Sequence, residues 1–519
     1  MSGASGAVVR RVATAALLIA VGNIASRLIG VVREAVIAGL FGRDADVAAF
    51  TAASAVPTMV YDLLVNGAIS AALVPVFSAY AEEEEAAFWR VAATVINLAL
   101  GSIALTVGFL IWQAPAVVTL LAGGFEPELR EQTIVMTRLL LPAVFFMGLS
   151  GLITALLYAR QRFLLPAFTT SIFNLGIILG AVLLQSWFGP LSLVAGVLLG
   201  SVLQVALQLP GLRDATHVPF LTLDLAHPGV RRILALYAPV ALGIGFSVAG
   251  IVIDRNLASR LTPDAIPTMR YATALIQFPL GLVAAAVSFA VLPTLSRQAS
   301  AGDEAAFRST LAMGIKVVLL LILPATAGLA ALAAPVVALL YQRGAFGGED
   351  TQATARALLF YLPGLPAAAL DQMILFAFYA RQRTLTPNLV QGAAILIYAA
   401  TALPLLFLTP LGVAALILAN SAQWIGHALI LYLLSRRLVD LGGLRIGETF
   451  WKCLVACTAL FCLAWLLGNT LAFAGPLGAL LGAGGLGTLA YAGVCLALRV
   501  EALDFLITTL RQRGFFPTA

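Results

Sequence analysis

Apolar segments long enough to cross a lipid bilayer recur along the whole of this 519-residue chain. Charged residues make up 10% of the sequence, whereas soluble domains carry about 25%. The pattern predicts an all-α polytopic membrane protein with about 14 transmembrane helices. The predicted spans are 12–40, 47–80, 86–119, 131–159, 164–186, 189–212, 230–260, 263–295, 304–339, 350–380, 386–408, 410–435, 447–469 and 475–498.

The distribution of basic residues predicts how the chain is oriented. With the N-terminus placed in the cytoplasm, 19 of the 30 Lys and Arg residues lie on the cytoplasmic side, 7 lie at outer ends and 4 lie within spans. Basic residues accumulate on the cytoplasmic side of membrane proteins. We therefore expect both termini of this multi-pass protein in the cytoplasm. The net charge of +6 reflects this topology, and no nucleic-acid partner is expected.

An internal duplication underlies the sequence. The phrase LYARQRFLLP begins at Leu157, and FYARQRTLTP begins at Phe378, 221 residues later. The motif EAAF also occurs twice, at 85–88 and 304–307. Each copy holds six helices, so the two lobes should run parallel around a central cavity. The predicted parts are an N-terminal lobe (12–213), an interlobe linker (214–229), a C-terminal lobe (230–436), two extra helices (447–498) and an amphipathic tail (500–519).

Several polar residues receive a structural interpretation. The basic residues of the repeated phrase are read as inner-face anchors, and the acidic run 82–85 as a solvated loop. The cysteines are read as apolar filler, so no metal site and no cofactor is expected. Polar side chains within spans are typical of interhelical hydrogen bonding, whereas Asp371 is either such a group or a ligand. The residues assigned to interhelical bonding are Asn174, Gln204, Gln208, Asn420, Gln423 and His427.

Charges in the leading helix of each lobe indicate a site. At an offset of 221 residues, Arg33-Glu34 aligns with Asp254-Arg255, the same pair with reversed signs. We expect Arg33 to reach Asp254 and Glu34 to reach Arg255. One interpretation is an ion-pair clip between the lobes. The other is a cavity for an anion, because intramembrane charges are often functional and Arg27 has no acidic counterpart.

Polar residues of two further helices extend this predicted cavity. An excess of arginine suits a phosphate or pyrophosphate group, which guanidinium binds by charge-assisted hydrogen bonds. The candidate substrate-binding residues are Arg27, Arg33, Glu34, Tyr61, Asp62, Asn66, Asp254, Arg255, Arg270 and Gln277. No catalytic residue is proposed among them, and the sequence contains no phosphate-binding loop of the G-x-x-x-x-G-K-[ST] type, so the chain is not expected to be an enzyme.

Five stretches resemble the MurJ/MviN family: SRLIGVVREAVIAGLFG (26–42), AVPTMVYDLLVNGAISAALVPVFSAY (55–80), YATALIQFPLGLVAAAVSFAVLPTLS (271–296) and the two YARQR phrases. The resemblance covers essentially the whole chain. It implies a lipid II flippase of peptidoglycan synthesis within the multidrug/oligosaccharidyl-lipid/polysaccharide exporter superfamily. Such a protein carries the sugar-pyrophosphate headgroup by alternating access while the lipid tail stays in the membrane.

The resemblance also assigns individual residues. It implies that Arg27 and Arg33 are the two family arginines of the first helix and that Glu34 is the acidic residue that follows. Tyr61 and Asp62 stand where the family has arginines, and Asn66 stands in place of its acidic residue. In the eighth helix, Ala274 replaces another family arginine, and Arg255 and Arg270 are candidates to substitute for it in space.

The resemblance leaves the driving force and the substrate open. Some family members bind sodium between the seventh, eleventh and twelfth helices, but no Asp or Glu lies between Asp371 and Asp440 here. A coupling cation or the membrane potential could supply the energy. The expected partners are an undecaprenyl-pyrophosphate-linked glycan such as lipid II and membrane lipids, with the protein acting as a monomer. The alternatives are export of another undecaprenyl-linked glycan and a non-transporting scaffold for wall synthesis.

Overall fold

The computed structural model describes residues 2–83, 85–213, 222–383 and 385–512. These residues form fourteen long helical segments, a tail helix and three short helices (Ala114–Ala122, Leu164–Ala167 and Ala333–Tyr341), with no β-strand among them. The segments are α1 (Ser2–Phe41), α2 (Ala45–Ala81), α3 (Glu85–Trp112), α4 (Pro127–Ala159), α5 (Thr169–Phe188), α6 (Leu191–Leu212), α7 (Pro228–Ser259), α8 (Ala265–Ala301), α9 (Glu304–Ala331), α10 (Gly348–Ala380), α11 (Leu385–Leu408), α12 (Val413–Ser435), α13 (Ile446–Thr470), α14 (Gly475–Ala497) and α15 (Glu501–Gln512).

The helical segments correspond one to one with the fourteen predicted spans. Twelve of them have both the length and the apolar composition of a membrane-crossing helix. The other two are α1, with 40 residues, and α8, with 37 residues, both longer than the roughly 20 residues that a bilayer requires. The prediction of an all-α polytopic membrane protein is confirmed.

Proline interrupts three of these segments. Helical turns lose a hydrogen bond at proline because it has no amide hydrogen. In α2, Pro57 precedes two wider π-helical stretches, Asp62–Asn66 and Ile69–Leu73. After this first break in α2, a second break divides α4 at Leu141 and Pro142. The third is a 3-10 turn, Leu362–Gly364, within α10.

The chain divides into two compact units. The first comprises Met1–Pro267 together with Arg343–Phe346, and the second comprises Thr268–Gln342 and Gly347–Ala519. The first unit therefore includes α7, the leading helix of the second repeat, whereas the lobes proposed from the sequence, 12–213 and 230–436, remain predictions. Residues 214–221 of the predicted linker and 513–519 of the predicted tail lie outside the described residues.

A seam of glycines joins α5 and α6 in the first unit. Gly176 and Gly180 of α5 face Gly200 and Gly196 of α6, one turn apart on each helix. A β-carbon on Gly180 would lie 2.2 Å from the backbone of Gly196, so any side chain would separate the helices. Close backbone approach through small residues four apart is typical of membrane helix pairs, where burial of apolar surface supplies little driving force.

The two repeated motifs meet in the first unit. At the start of α3, the Glu85 carboxylate accepts a hydrogen bond of 2.7 Å from Arg160 Nη2, just after α4. The Arg160 guanidinium also lies 5.5 Å from the centre of the Phe88 ring and 5.0 Å from that of Trp89. We call these residues the first clamp. The acidic run was expected to be solvated, and the Glu85 side chain is 67% exposed, but this residue also joins the ends of α3 and α4.

The same arrangement recurs in the second unit. Arg381 Nη2 donates a hydrogen bond of 2.5 Å to Glu304 Oε2, and the guanidinium lies 4.6 Å from the centre of the Phe307 ring. These residues form the second clamp. After each clamp arginine the chain turns through a left-handed residue, Gln161 or Gln382. The repeated phrase is therefore a helix-end contact that each unit makes once.

The ends of α1 and α7 meet in the first unit. Arg43 Nη1, just after α1, lies 2.7 Å from Asp264 Oδ2, just after α7. These two residues are 221 positions apart, which is the repeat offset, and they carry opposite charges. The segment Arg343–Phe346 also contacts this end, because Ala345 N donates a 2.9 Å hydrogen bond to Gly39 O. The α1–α2 and α7–α8 connections therefore share one side of the unit.

The tail helix is tied to the second unit by a buried lysine. Lys316 of α9 is 4% exposed, and its Nζ lies 2.5 Å from Glu501 Oε2 at the start of α15. Nearby, the Tyr491 hydroxyl of α14 donates a hydrogen bond of 2.9 Å to Leu320 O. All four cysteines are free, and three of them are buried, with Cys462 exposed.

Candidate functional site

Three arginines lie at successive depths along α1 and α7. Depth can be counted from the shared end that Arg43 and Asp264 mark, at about 1.5 Å per helical residue. Arg255 lies about 6 Å from that end, Arg33 about 12 Å and Arg27 about 21 Å. We call these three residues the arginine series. It extends over about half of a hydrocarbon core that is roughly 30 Å thick.

Arg33 is held in place by neighbours on two helices. Its Nη2 and Nε donate hydrogen bonds of 2.5 and 3.1 Å to Glu34 Oε1, and its Nη1 donates one of 2.7 Å to Asn174 Oδ1 on α5. Asn174 Nδ2 in turn donates to Ser26 O of α1, at 3.3 Å. The Arg33 side chain is 26% exposed, whereas that of Glu34 is 4% exposed. The carboxylate thus keeps a cation at a partly open position.

The prediction that residues of opposite charge pair between the two repeats is wrong. Within the described residues, Arg33 does not pair with Asp254, and Glu34 does not pair with Arg255. A long arginine side chain can fold back onto the next residue, and α5 packs against α1, where it supplies the amide acceptor. Asn174 was assigned to interhelical bonding, which holds, but its contact with a site arginine was not foreseen.

Arg255 differs from Arg33 in its surroundings. Its Nε and Nη1 are buried, and neither has a hydrogen-bond partner in the part of the chain that the structure describes. The preceding residue, Asp254, is half-buried. The helix is fixed next to it, because Asn256 Nδ2 donates to Leu120 O at 2.8 Å and Ser259 Oγ accepts from Gly124 N at 3.0 Å. Arg255 therefore offers two free donors from a rigid position.

The polar residues of α2 lie deeper than Arg33. Asp62 and Asn66 begin about 25 Å from the α1–α2 end, and Asn66 Nδ2 donates a 2.8 Å hydrogen bond to Asp62 Oδ1. Both lie in a π-helical stretch, a local widening that is frequent at functional sites. Tyr61 is half-buried and its hydroxyl faces Gly151 of α4. These residues are not brought into contact with Arg33.

The remaining candidates lie in the second unit. Arg270 is half-buried and Gln277 is exposed, both on α8. Between them, the buried Tyr271 packs its ring 5.3 Å from that of Tyr341, whose hydroxyl donates to Tyr271 O at 3.3 Å. Their membership of the site stays a prediction. No group of His, Cys, Asp and Glu suited to a metal ion occurs among the described residues.

Interhelical bonding is confirmed for two of the other polar residues, His427, which contacts Asp371 of α10, and Gln208. The Gln208 side chain of α6 donates to Ser150 Oγ at 2.6 Å and accepts from Thr154 Oγ1 at 2.9 Å, both on α4. These bonds satisfy the side-chain amide of Gln208 within the first unit. Gln208 is fully buried, so it has no access to a ligand.

Comparison with known proteins identifies the family. The family profile described as "Lipid II flippase MurJ" matches residues 37–480. The chain belongs to the MurJ family. A MurJ relative from Burkholderia cenocepacia, "Lipid II flippase MurJ", is 32% identical over 374 residues, which cover 70% of this chain and 72% of the relative. "Probable lipid II flippase MurJ" of Synechocystis is 28% identical over 487 residues, 90% of this chain and 89% of the relative.

Solved structures give the same result at the level of the fold. The chain superposes on "Lipid II flippase MurJ, inward closed conformation" with a TM-score of 0.79 at 24% identity, covering 95% of this chain and all of that one. An inward-facing multidrug resistance MATE family transporter of the MOP superfamily gives a TM-score of 0.66 at 14% identity, covering 82% and 95%. This chain therefore shares the fold of both solved structures.

Proposed function

We propose that this chain moves lipid II, an undecaprenyl-pyrophosphate-linked glycan, from the inner to the outer leaflet of the bacterial cytoplasmic membrane. Membership of the MurJ family and the matching fold support this activity. The observation that carries the site is Arg255, whose Nε and Nη1 are buried without an acceptor among the described residues. An unsatisfied buried donor costs about 1–3 kcal/mol, which an incoming anion would recover.

The arginine series provides a route for the pyrophosphate. Its members are separated by about 6–9 Å in depth, so one guanidinium can take up the anion while the previous one releases it. Planar guanidinium groups bind phosphate oxygens in pairs of charge-assisted hydrogen bonds. Hydrogen bonds to Glu34 and Asn174 fix the orientation of the Arg33 guanidinium. Of the three arginines, Arg27 lies farthest from the α1–α2 end. The polyprenyl tail stays in the lipid phase.

Further features of the proposal follow from the same reading. Both termini lie in the cytoplasm, as the basic residues of the sequence favour. The protein works as a monomer by alternating access and performs no covalent chemistry. Either the membrane potential or a coupling cation drives the cycle. Asp62, Asn66, Asp254, Arg270 and Gln277 are assigned to the cavity that receives the headgroup.

The proposal is tested by removing each arginine in turn. Arg27→Ala, Arg33→Ala and Arg255→Ala should each abolish rescue of a flippase-depleted strain and lower lipid II flipping in proteoliposomes at least tenfold. The matched control is Arg138→Ala, an exposed arginine of α4 outside the series. All variants are compared at equal membrane abundance. Full rescue by all three single variants would count against an anion site built from these residues.

A second candidate substrate is another undecaprenyl-linked glycan. It is favoured by the two positions, Tyr61 and Ala274, at which the resemblance implies arginines that this chain lacks. Proteoliposomes loaded with lipid II or with other undecaprenyl-linked glycans separate the two substrates by their relative rates. A protein that binds the wall-synthesis machinery but flips none of these lipids would instead be a scaffold.

A further inference from the structure

A histidine and an aspartate form a half-buried pair in the second unit, away from the arginine series. His427 Nδ1 of α12 lies 2.8 Å from Asp371 Oδ1 of α10. The side chains are 12% and 19% exposed. Because an ionised carboxylate only accepts hydrogen bonds, the ring is oriented with its Nδ1–H donating to Asp371. The opposite ring nitrogen, Nε2, is buried and has no partner among the described residues.

The pair lies well inside the membrane. His427 is about 12 Å from the end of α12 at Ser435, and Asp371 is about 14 Å from the end of α10 at Ala380, at about 1.5 Å per residue. Both depths are close to the middle of a hydrocarbon core roughly 30 Å thick. Ionisable residues at such a depth are costly to keep and mark ion or proton pathways in many transporters.

Apolar and aromatic groups close the pair along the helix axes. One turn further along each helix, Ile374 and Leu431 belong to one buried apolar cluster. In the other direction, the Tyr361 and Trp424 rings stack 6.0 Å apart, and Ser421 Oγ donates to Phe360 O at 2.9 Å. These groups restrict access to the pair along the helix axes, and the two side chains remain 12% and 19% exposed.

Few other charged or titratable groups face the pair. Asp371 interacts electrostatically with Tyr379, two turns along α10. The helix α11, which packs against α12, carries no charged residue, and Lys316 of α9 is paired with Glu501. The other titratable residues of the elements packed against the pair lie at helix ends or are tyrosines: Glu304, Arg308, Tyr341, Glu349, Asp350, Arg356, Tyr361, Tyr398 and Tyr432.

We propose that Asp371 and His427 form a proton-binding site that couples proton entry to substrate export, with His427 Nε2 as the exchangeable position. When Nε2 takes up a proton, the imidazolium and the carboxylate are neutral as a pair. When the proton leaves, the pair carries one negative charge, which a low-dielectric interior disfavours. Release therefore requires exposure to water. A proton bound from the outer solution and released to the inner one moves against the direction of the exported lipid.

A direct measurement tests proton binding without any transport assay. The chain has three histidines, His217, His227 and His427. In full-length protein labelled with ¹⁵N-histidine and placed in nanodiscs, NMR reports the protonation of each ring, and His427→Gln assigns its resonance by loss. If that variant does not fold, the double variant His217→Gln/His227→Gln can be used instead, because His427 then gives the only histidine signal. We expect the His427 ring to gain and lose a proton, seen as a change in its resonances, within the pH range in which the protein stays folded.

A variant of the partner identifies the cause of that change. Asp371→Asn should remove or clearly alter the proton-dependent change of the His427 resonances, because the imidazolium loses its negative neighbour. Gln423→Ala, one turn before His427 on the same helix, is the matched control and should leave the transition unchanged. A His427 ring that keeps one protonation state over the whole range would show a purely structural hydrogen bond and would overturn the proposal.

The coupling step rests on the proposed lipid export and is tested separately. In proteoliposomes, an inward proton gradient should speed lipid flipping by the unaltered protein and by Gln423→Ala at least threefold. His427→Gln and Asp371→Asn should flip lipid at the same rate with and without the gradient, equal to the rate of the unaltered protein without a gradient. An unchanged gradient response in both variants would refute coupling at this site. Absence of flipping by every protein would refute the lipid substrate, and the NMR titration would still decide whether the site binds protons.

Discussion

The second clamp provides a sharp test of how the repeated phrase acts. In Arg381→Ala the chain loses an ion pair with Glu304 and a stacking contact with Phe307. The Glu304 side chain is 61% exposed, so solvent screening limits the ion pair to about 0.2–1 kcal/mol. A guanidinium over a ring adds about 0.5–1 kcal/mol when the contact is partly exposed. The expected loss of unfolding free energy is about 1–2 kcal/mol.

The same phrase supplies the control. Arg383 lies two residues later, is exposed, and makes no side-chain hydrogen bond or ion pair with any described residue. Arg383→Ala removes the same charge from the same turn, so its effect should stay within about 0.5 kcal/mol. If both arginines act only as topological anchors at the membrane surface, the two substitutions should instead behave alike.

The assay is thermal unfolding of the purified proteins in one detergent, followed by tryptophan fluorescence. For a unit of about 250 residues, 1 kcal/mol corresponds to a shift of about 2–4 °C in the midpoint. Arg381→Ala should therefore unfold about 2–8 °C lower, with Arg383→Ala close to the unaltered protein. Adding Glu304→Gln to Arg381→Ala should cost less than the sum of the separate changes. Equal midpoints for Arg381→Ala and Arg383→Ala would refute the reasoning.

Three other predictions concern the first unit. Asn174→Ala should lower the rate of flipping about fivefold without changing membrane abundance, because the hydrogen bond that positions Arg33 is worth about 1 kcal/mol. Arg33→Lys, measured in the same assay, should flip more slowly than Asn174→Ala. Gly180→Val should lower the unfolding midpoint strongly, since its β-carbon would lie 2.2 Å from the α6 backbone, whereas Gly101→Val, with open space around it, should not. In a double-mutant cycle on unfolding free energy, Arg43→Asp and Asp264→Arg should each destabilise and together recover about 0.5–1 kcal/mol.

The helices were predictable because the length of each apolar segment can be read directly from the sequence. Each of the fourteen spans needs only a run of apolar residues, and the structure has a helix at each of them. The clamps show the limit of the repeat. The motifs that contain Glu85 and Arg160 were each found in two copies, at offsets of 219 and 221, but recurrence does not reveal contact. Contact depends on helix α4 returning beside the start of α3.

The candidate site was only partly predictable for a different reason. Charge in an apolar span marked Arg27, Arg33 and Arg255, because such residues are rare and costly there. Their partners depend on side-chain direction and on which helices are neighbours. Asn174 carried a signal, an amide within an apolar helix, but nothing in the sequence places α5 against α1. The pairing of Asp371 with His427 likewise required the packing of α10 against α12.

The reversed order of charges in the second repeat explains why Arg255 lacks acceptors. At the repeat offset of 221, Arg255 corresponds to Glu34 and not to Arg33. Glu34 is 3% exposed and is satisfied by the arginine before it. Adjacent helical residues point about 100° apart, so exchanging their order turns a guanidinium toward the position that a carboxylate occupies in the first repeat. Two buried donors then remain without an acceptor in the described chain, and the phosphate of the proposed substrate would be a suitable acceptor for both.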